Sequence, residues 1–454
     1  MMGKMDISVR RINKSVLKLA IPSIFANITI PLVGMVDLGV AGRLGDAIAI
    51  GAMAISTMLF DLLYWNMGFL RIGTGGMVAQ AYGKRDLKEA TKILSQGLVT
   101  ALGFALLILL FQYLYAEIAL KIIPCSAQCA QLTREYFYIR IWAAPATLSL
   151  FVFKGFFIGM QNSISPMLAD VLINVLNLLL SVVFAIYLDM GFKGIAWAVL
   201  IAQYSGLILC IILMLLYYRK LFKYIDLKGA LRMDEIKRFF SVNYNLFIRS
   251  LCFLGIYAGF TSFSTGYGDE LLAVNTIMMK LLLLYSFFLD GFAYAGEALV
   301  GKYIGAQDKK LLKLSISVTF KWGVIVAVFS TFAYLFGSSW LVALLTDNQQ
   351  VIKQSAQFYH WLWVMPFLSY AAFIWDGVYV GATSTAYIRN CMLLAVIGFF
   401  ITYFALRDVL EVESLYLAYM IHVVIRSLYM WMGARKNVYA KVVGDDVNSA
   451  NAAG

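Results

Sequence analysis

Histidine is almost missing from this chain: His360 and His422 are the only two among 454 residues, and they fall in separate apolar stretches. That scarcity excludes a histidine-built metal centre and a histidine proton relay, and His422 reads as a packed side chain. Cysteine is sparse too. Cys210, Cys252 and Cys391 sit in apolar runs as packing residues, while Cys125 and Cys129 share a loop with no histidine beside them and so offer no zinc-type ligand set. No metal and no cofactor is expected. Charge is also short, with Asp, Glu, Lys and Arg making up 14% of the chain, against roughly a quarter in an ordinary globular protein. The chain has no GxxxxGK[ST] phosphate loop, no HExxH and no GxSxG, which removes ATP-driven work, zinc hydrolysis and serine acyl transfer. Gly266–Asp269 reads GYGD, as in intramembrane aspartyl proteases, but that chemistry needs a second embedded Asp preceded by Tyr, and no Tyr-Asp pair occurs. The chain is not read as an enzyme.

What the sequence has in abundance is apolar length. Hydrophobic residues make up 62% and the mean hydropathy is +0.80. Water-soluble packing cannot hide that much apolar surface, so the fold class is an all-α integral membrane protein. Runs of about 20 apolar residues place twelve spans at 15–43, 47–75, 91–116, 131–158, 163–187, 194–218, 240–264, 270–303, 313–340, 354–380, 384–405 and 412–433. Six prolines against 35 glycines fit close-packed membrane helices. The net charge of +12 reflects loop placement and anionic lipid, not a nucleic-acid partner.

The two halves resemble each other. GDAIAIGAMAIS from Gly45 pairs with GDELLAVNTIMM from Gly268, and MVAQAYGKRDLKEA from Met77 with LVGKYIGAQDKKLL from Leu299. YIRIWAAPATL from Tyr138 pairs with YHWLWVMPFLS from Tyr359, and KGFFIGMQNS from Lys154 with DGVYVGATST from Asp376. All four share an offset of about 222 residues, which marks an internal repeat. Six spans per half make the repeat parallel, a transporter arrangement of two pseudo-symmetric lobes. The expected organisation is an N-lobe over 1–218, an amphipathic cytoplasmic linker over 219–239, a C-lobe over 240–436 and a polar tail over 437–454. Basic residues gather at the N-terminus and in 84–88, 219–238, 302–313 and 435–441, which puts both termini in the cytoplasm. The basic start leads into a span without a cleavage pattern, so no removable signal is expected.

The stretch from Lys18 to Gly45 carries the chemistry. It is a long apolar run with basic flanks, Lys18 and Arg43; it holds one carboxylate, Asp37, and two prolines, Pro22 and Pro31. An ionised Asp at mid-membrane costs roughly 2.5–3.5 kcal/mol, and that cost falls when the side chain takes a proton. The prolines remove backbone donors and weaken the helix at two points. A titratable group on a bendable helix can couple proton binding to a change of shape. On the fifth span Asn174, Asn177 and Ser181 share a face, either to bond Asp37 or to hold helices together. Other embedded charges are Asp61, Arg71, Asp170, Arg249, Lys280, Asp290, Glu297, Lys321 and Arg426. Lys154 and Asp376 occupy matching repeat positions, so they form or flank an inter-lobe pair, with Arg71 and Glu297 as further candidates, or each has a partner in its own half. Met35, Met53, Phe60, Trp65 and Phe287 are candidate cavity residues, with Phe288, Trp361 and Trp375 behind them, because aromatic faces attract organic cations and methionine adapts to shape.

These motifs carry a resemblance. AIPSIFANITIPLVGMVDLGVAGRLGD, LLYWNMGFLRIGTGGMVAQAYGKRD, FFIGMQNS and WDGVYVGATST resemble the multidrug and toxic compound extrusion (MATE) transporters, in their DinF-like branch. The resemblance spans essentially the whole chain. It implies two six-helix lobes that alternate their opening, exporting cationic or amphipathic organic compounds in exchange for protons or sodium. Pro22 and Asp37 match the family's first-helix proline and carboxylate, and Asn177 a fifth-helix asparagine. Where some members carry a second fifth-helix Asp this chain has Ser181, where they carry a sixth-helix Thr it has Val199, and Ser369 falls near the acidic tenth-helix residue of the NorM-like branch. Fewer oxygen ligands weaken a sodium site, so proton coupling is the expectation. The alternatives are a sodium-coupled drug antiporter or a flippase for lipid or lipid-linked precursors. The expected setting is a monomer spanning a bacterial inner membrane.

Overall fold

A computed structural model describes residues 2–43, 47–123, 125–224, 232–346 and 348–442; the side chains of 2–7, 30–36, 38–39, 41–43, 47, 222, 233, 235–236 and 269 lie outside the described set. The described residues are helical, with no strand. In chain order the helices are α1 (Met2–Arg43), α2 (Ala47–Trp65), α3 (Phe69–Gly83), α4 (Leu87–Leu110), α5 (Gln112–Ile122), α6 (Ala127–Arg140), α7 (Ala144–Gly159) and α8 (Ile164–Val182). They continue with α9 (Gly191–Tyr217), α10 (Met233–Ser264), α11 (Asp269–Gly305), α12 (Lys309–Leu345), α13 (Gln349–Ser355), α14 (Tyr359–Gly381), α15 (Thr385–Leu410) and α16 (Glu413–Asn437). Eleven stretches among the described residues are long and apolar enough to cross a membrane. They coincide with the second to twelfth spans expected from sequence, and α1 covers the first. Short 3₁₀ turns join α2 to α3 and α6 to α7, so that each pair makes one span. Part of the expected linker, 225–231, lies outside the described residues; before it Arg219–Tyr224 forms a 3₁₀ turn, and after it α10 starts at Met233.

The helices are built for lipid outside and tight contact inside. On α4 the buried face carries Ala90, Ile93, Leu94, Gly97, Ala101 and Ala105, while Leu102, Leu106, Leu107 and Leu110 are exposed. The buried face also takes the polar Thr91, Ser95 and Gln96; its small residues let backbones approach, while the exposed leucines meet lipid. On α8 the buried face is Ser165, Pro166, Ala169, Ile173, Asn177 and Ser181, which turns its polar stripe inward.

Two compact units emerge. One contains the described residues of Met1–Ile24, Ala79–Arg85 and Ser241–Gly454; the other contains Phe25–Val78 and Asp86–Phe240. The start of α1 is held in the first unit by the Trp322 indole N–H, which donates to Asn13 Oδ1 at 2.6 Å, and by Gly291, where an added Cβ would meet the Ala20 carbonyl oxygen at 2.8 Å. The end of α3 joins the same unit, where Gln80 Nε2 donates to the Gly381 carbonyl at 2.9 Å.

The repeat is visible as a repeated helix crossing. In the second unit Gly155 and Gly159 of α7 press on the α3 backbone at Arg71 and Gly75; in the first, Gly377 and Gly381 of α14 press on the α11 backbone at Ala293 and Glu297. Every member of the second contact lies about 222 residues after its counterpart in the first. The same offset relates two contacts inside the first unit, where Gly83 packs on the Lys302 carbonyl and Gly305 on the Gln80 carbonyl. Each crossing uses a Gly-xxx-Gly or single-glycine face, the small-residue solution for close membrane helices.

Candidate functional site

Asp37 projects from α1 into the second unit and is 8% exposed. Two side chains of α8 hold it. Asn177 Nδ2 donates to Oδ1 at 3.3 Å and to Oδ2 at 3.1 Å, and Ser181 Oγ donates to Oδ1 at 3.1 Å. The serine also bonds Asn177 Oδ1 at 3.3 Å. Asn177 and Ser181 meet the same carboxylate because residues four apart share a helix face. Asn174, the third member of the stripe, turns instead to Thr29, donating to its Oγ1. The contacts thus run in register, with Thr29 to Asn174 at one level and Asp37 to Asn177 and Ser181 at the next. Eight residues on α1 rise about 12 Å and seven on α8 about 10 Å, so two helices running the same way match along this seam. First and fifth spans of a multi-pass chain do run the same way.

Both partners of Asp37 are neutral, and among the described residues no lysine or arginine forms an ion pair with it. The cation whose field reaches it is Arg140, at the end of α6. Arg140 is anchored elsewhere: its guanidinium lies 4.2 Å from the Phe60 ring centroid and donates to the Tyr136 hydroxyl at 3.2 Å. An amide and a hydroxyl can serve either form of the acid. They donate to a carboxylate, and the amide oxygen or the hydroxyl can accept from a carboxylic acid. The site can therefore take up and release a proton without losing its partners.

The hinge candidates lie on the same helix. α1 runs unbroken through Pro22 and Pro31. The boundary between the two compact units crosses it between Ile24 and Phe25, within one turn of Pro22. Beside Pro22 the Ser23 hydroxyl back-bonds to the Leu19 carbonyl at 2.9 Å, which also loosens a helix locally. The side chains of Pro31 and Met35 lie outside the described residues. Met53 and Phe60 are packed in the core of the second unit, Phe60 against Tyr64, Tyr136 and Phe137. Trp65 is 46% exposed at the end of α2, and Phe287 is half-buried on α11.

The embedded charges find partners locally. Lys154 pairs with Asp170, one helix on. Asp376 accepts from Arg249 at 2.9 Å and from Arg426. Of the two arrangements open in the sequence, a partner within each half is what the packing gives. Arg71 is half-buried on α3, and Glu297 is 2% exposed on α11. Sequence reasoning passed over Arg140, Tyr136 and Thr29. The signal was present for the first two, an Arg and a Tyr four apart inside an expected span; Thr29 carried none beyond its place two turns before Asp37.

Comparison with known proteins bears on the whole chain. The family model described as MatE matches residues 22–183 and 246–404. DNA damage-inducible protein F of Escherichia coli (strain K12) is 32% identical over 92% of this chain and 90% of its own length. Multidrug export protein MepA of Staphylococcus aureus is 18% identical over 87% of this chain and 89% of its own. Among solved structures, the Vibrio cholerae MATE transporter VcmN in the bent form superposes with a TM-score of 0.85 at 14% identity, covering 96% of this chain and 99% of that one.

Proposed function

The chain belongs to the MatE family of multidrug and toxic compound extrusion transporters, and from that premise we propose that it is a proton-coupled antiporter exporting cationic or amphipathic organic compounds. It is a multi-pass membrane transporter and not an enzyme. The observation that carries the proton reading is Asp37: one buried carboxylate, an amide and a hydroxyl as its partners, and no second carboxylate among them. Sodium favours several oxygen ligands, charged ones included. With Ser181 in place of a second acid and Val199 in place of a hydroxyl, the set at Asp37 suits a proton better.

In the proposed cycle, ionised Asp37 attracts the cationic substrate while the transporter faces outward. A proton from outside neutralises it, and that attraction ends. The Asn177 and Ser181 bonds re-form around the acid, α1 bends near Pro22, and the substrate leaves. The protonated transporter then turns inward and releases the proton to the cytoplasm. The lobes of helices one to six and seven to twelve are the alternating bodies, with both termini cytoplasmic in a bacterial inner membrane.

The test uses the purified chain in proteoliposomes with an interior pH dye. Under an imposed pH gradient, adding a fluorescent organic cation should drive proton movement at the same rate with or without sodium. Drug-driven flux that requires sodium and moves no protons would replace this reading with sodium coupling. Lipid scrambling without drug-driven flux would replace it with a flippase.

A further inference from the structure

The Arg249–Asp376–Arg426 cluster of the first unit takes no part in the cycle above, and its charges do not balance. Arg249 on α10 and Arg426 on α16 both donate to the same oxygen of Asp376 on α14, Oδ2. Both guanidinia also face one ring: their central carbons lie 4.9 Å and 4.6 Å from the Phe253 centroid. Among the described residues, the other side chains that interact with the cluster, Phe373, Cys391, Tyr419 and His422, supply no second carboxylate. Two positive charges therefore meet one negative charge at membrane depth. Arg426 is 1% exposed, so water does not screen it.

The donor inventory points the same way. An arginine carries five N–H donors in a planar fork that suits two-point contact with an anion. Sharing a single carboxylate oxygen leaves each fork half used. The Nε groups of Arg249 and Arg426 are buried without a hydrogen-bond partner among the described residues; Asp376 Oδ1 and His422 Nδ1 are buried and unpartnered too, so the cluster holds spare acceptors but no second negative charge. Unpaired buried polar atoms are costly, and here the unpaired donors sit on the two cations that are short of a counter-charge.

We infer that Arg249 and Arg426 form a binding site for a compact monoanion, a halide or a small carboxylate, that completes the charge balance of Asp376. One negative charge is what the cluster lacks, so a phosphate dianion would overshoot. The Arg249 side chain is 14% exposed, against 1% for Arg426, which makes Arg249 the side from which an anion enters.

The experiment uses the full chain in phosphatidylcholine nanodiscs, so that no lipid of net negative charge competes for the site. Melting temperature is compared in sodium gluconate, chloride and acetate at equal ionic strength. Chloride or acetate at saturation should raise the wild-type midpoint by roughly 3 °C over bulky gluconate. Arg249→Gln, which neutralises the cluster, should abolish that rise; Asp376→Asn, which adds to the excess, should enlarge it. Radiolabelled chloride should bind wild type with a stoichiometry near one. An anion-independent midpoint in wild type, an undiminished rise in Arg249→Gln, or no chloride binding to wild type would each overturn the inference.

Discussion

A methyl group added at Gly155 or Gly377 tests the repeat as a physical object. At Gly377 the new Cβ would stand 2.7 Å from the Ala293 carbonyl carbon and closer still to its oxygen; at Gly155 it would press the Arg71 carbonyl in the same way. Both obstacles are backbone of a packed helix, so no rotamer change relieves them. The helices must separate by about 1 Å, and overpacking of this kind costs about 1–3 kcal/mol. Gly103 on α4 is the control, since a Cβ there meets nothing within 4 Å. Gly103→Ala should stabilise by about 0.5–1 kcal/mol through helix propensity. The two crossings share no residues, so Gly155→Ala and Gly377→Ala should each lower the melting temperature by several degrees, by similar amounts, and add in the double variant. Thermal unfolding of the purified chain reads all four. If Gly155→Ala and Gly377→Ala melt like Gly103→Ala, the backbone contacts are wrong and the shared crossing is not what joins the paired spans.

Further outcomes follow from the charged and hinged positions. Lys154→Met or Asp170→Asn alone should cost about 2–4 kcal/mol by stranding a mostly buried charge, and the double neutral variant should recover most of it; thermal melts of the three variants check this. Ser181→Asp sets a second carboxylate against Asp37, and should make drug-driven flux respond to sodium where the parent does not. Pro22→Ala restores a backbone donor worth up to about 3 kcal/mol in helix stability; it should slow transport at least about tenfold while drug binding, read by fluorescence anisotropy, stays within about twofold.

Much of the fold is legible in the sequence because lipid imposes one requirement on every span. A run such as Gly191–Tyr217 has to be apolar and helical wherever it packs, so span positions follow from hydropathy alone. The repeat is legible for a different reason: Gly155 and Gly377 are each needed where backbone meets backbone, and that need recurs at a fixed offset. The Asp37 site was half legible. A lone acid and a polar stripe announce themselves against apolar surroundings, yet the turning of Asn174 to Thr29 depends on how far apart the two helices place each rung. Charge pairing was the least legible. Lys154 has Asp170 within reach and Asp376 has two arginines from two other helices, and nothing in the linear order ranks these over the symmetric alternative. The sequence marks Phe60 as a cavity aromatic; its packing under Arg140 depends on the neighbouring helix bringing Tyr136 and Phe137 to it.

The most direct measurement is drug-driven proton movement by Asp37→Asn in proteoliposomes. The variant keeps an acceptor for Asn177 or Ser181 and sheds a buried charge, so it should fold, at a net cost of about 1 kcal/mol or less. Proton flux should fall to the level of empty vesicles, with binding of the cationic drug weakened because the neutral amide lacks the charge that attracts it. Flux equal to that of the parent would contradict proton coupling through Asp37.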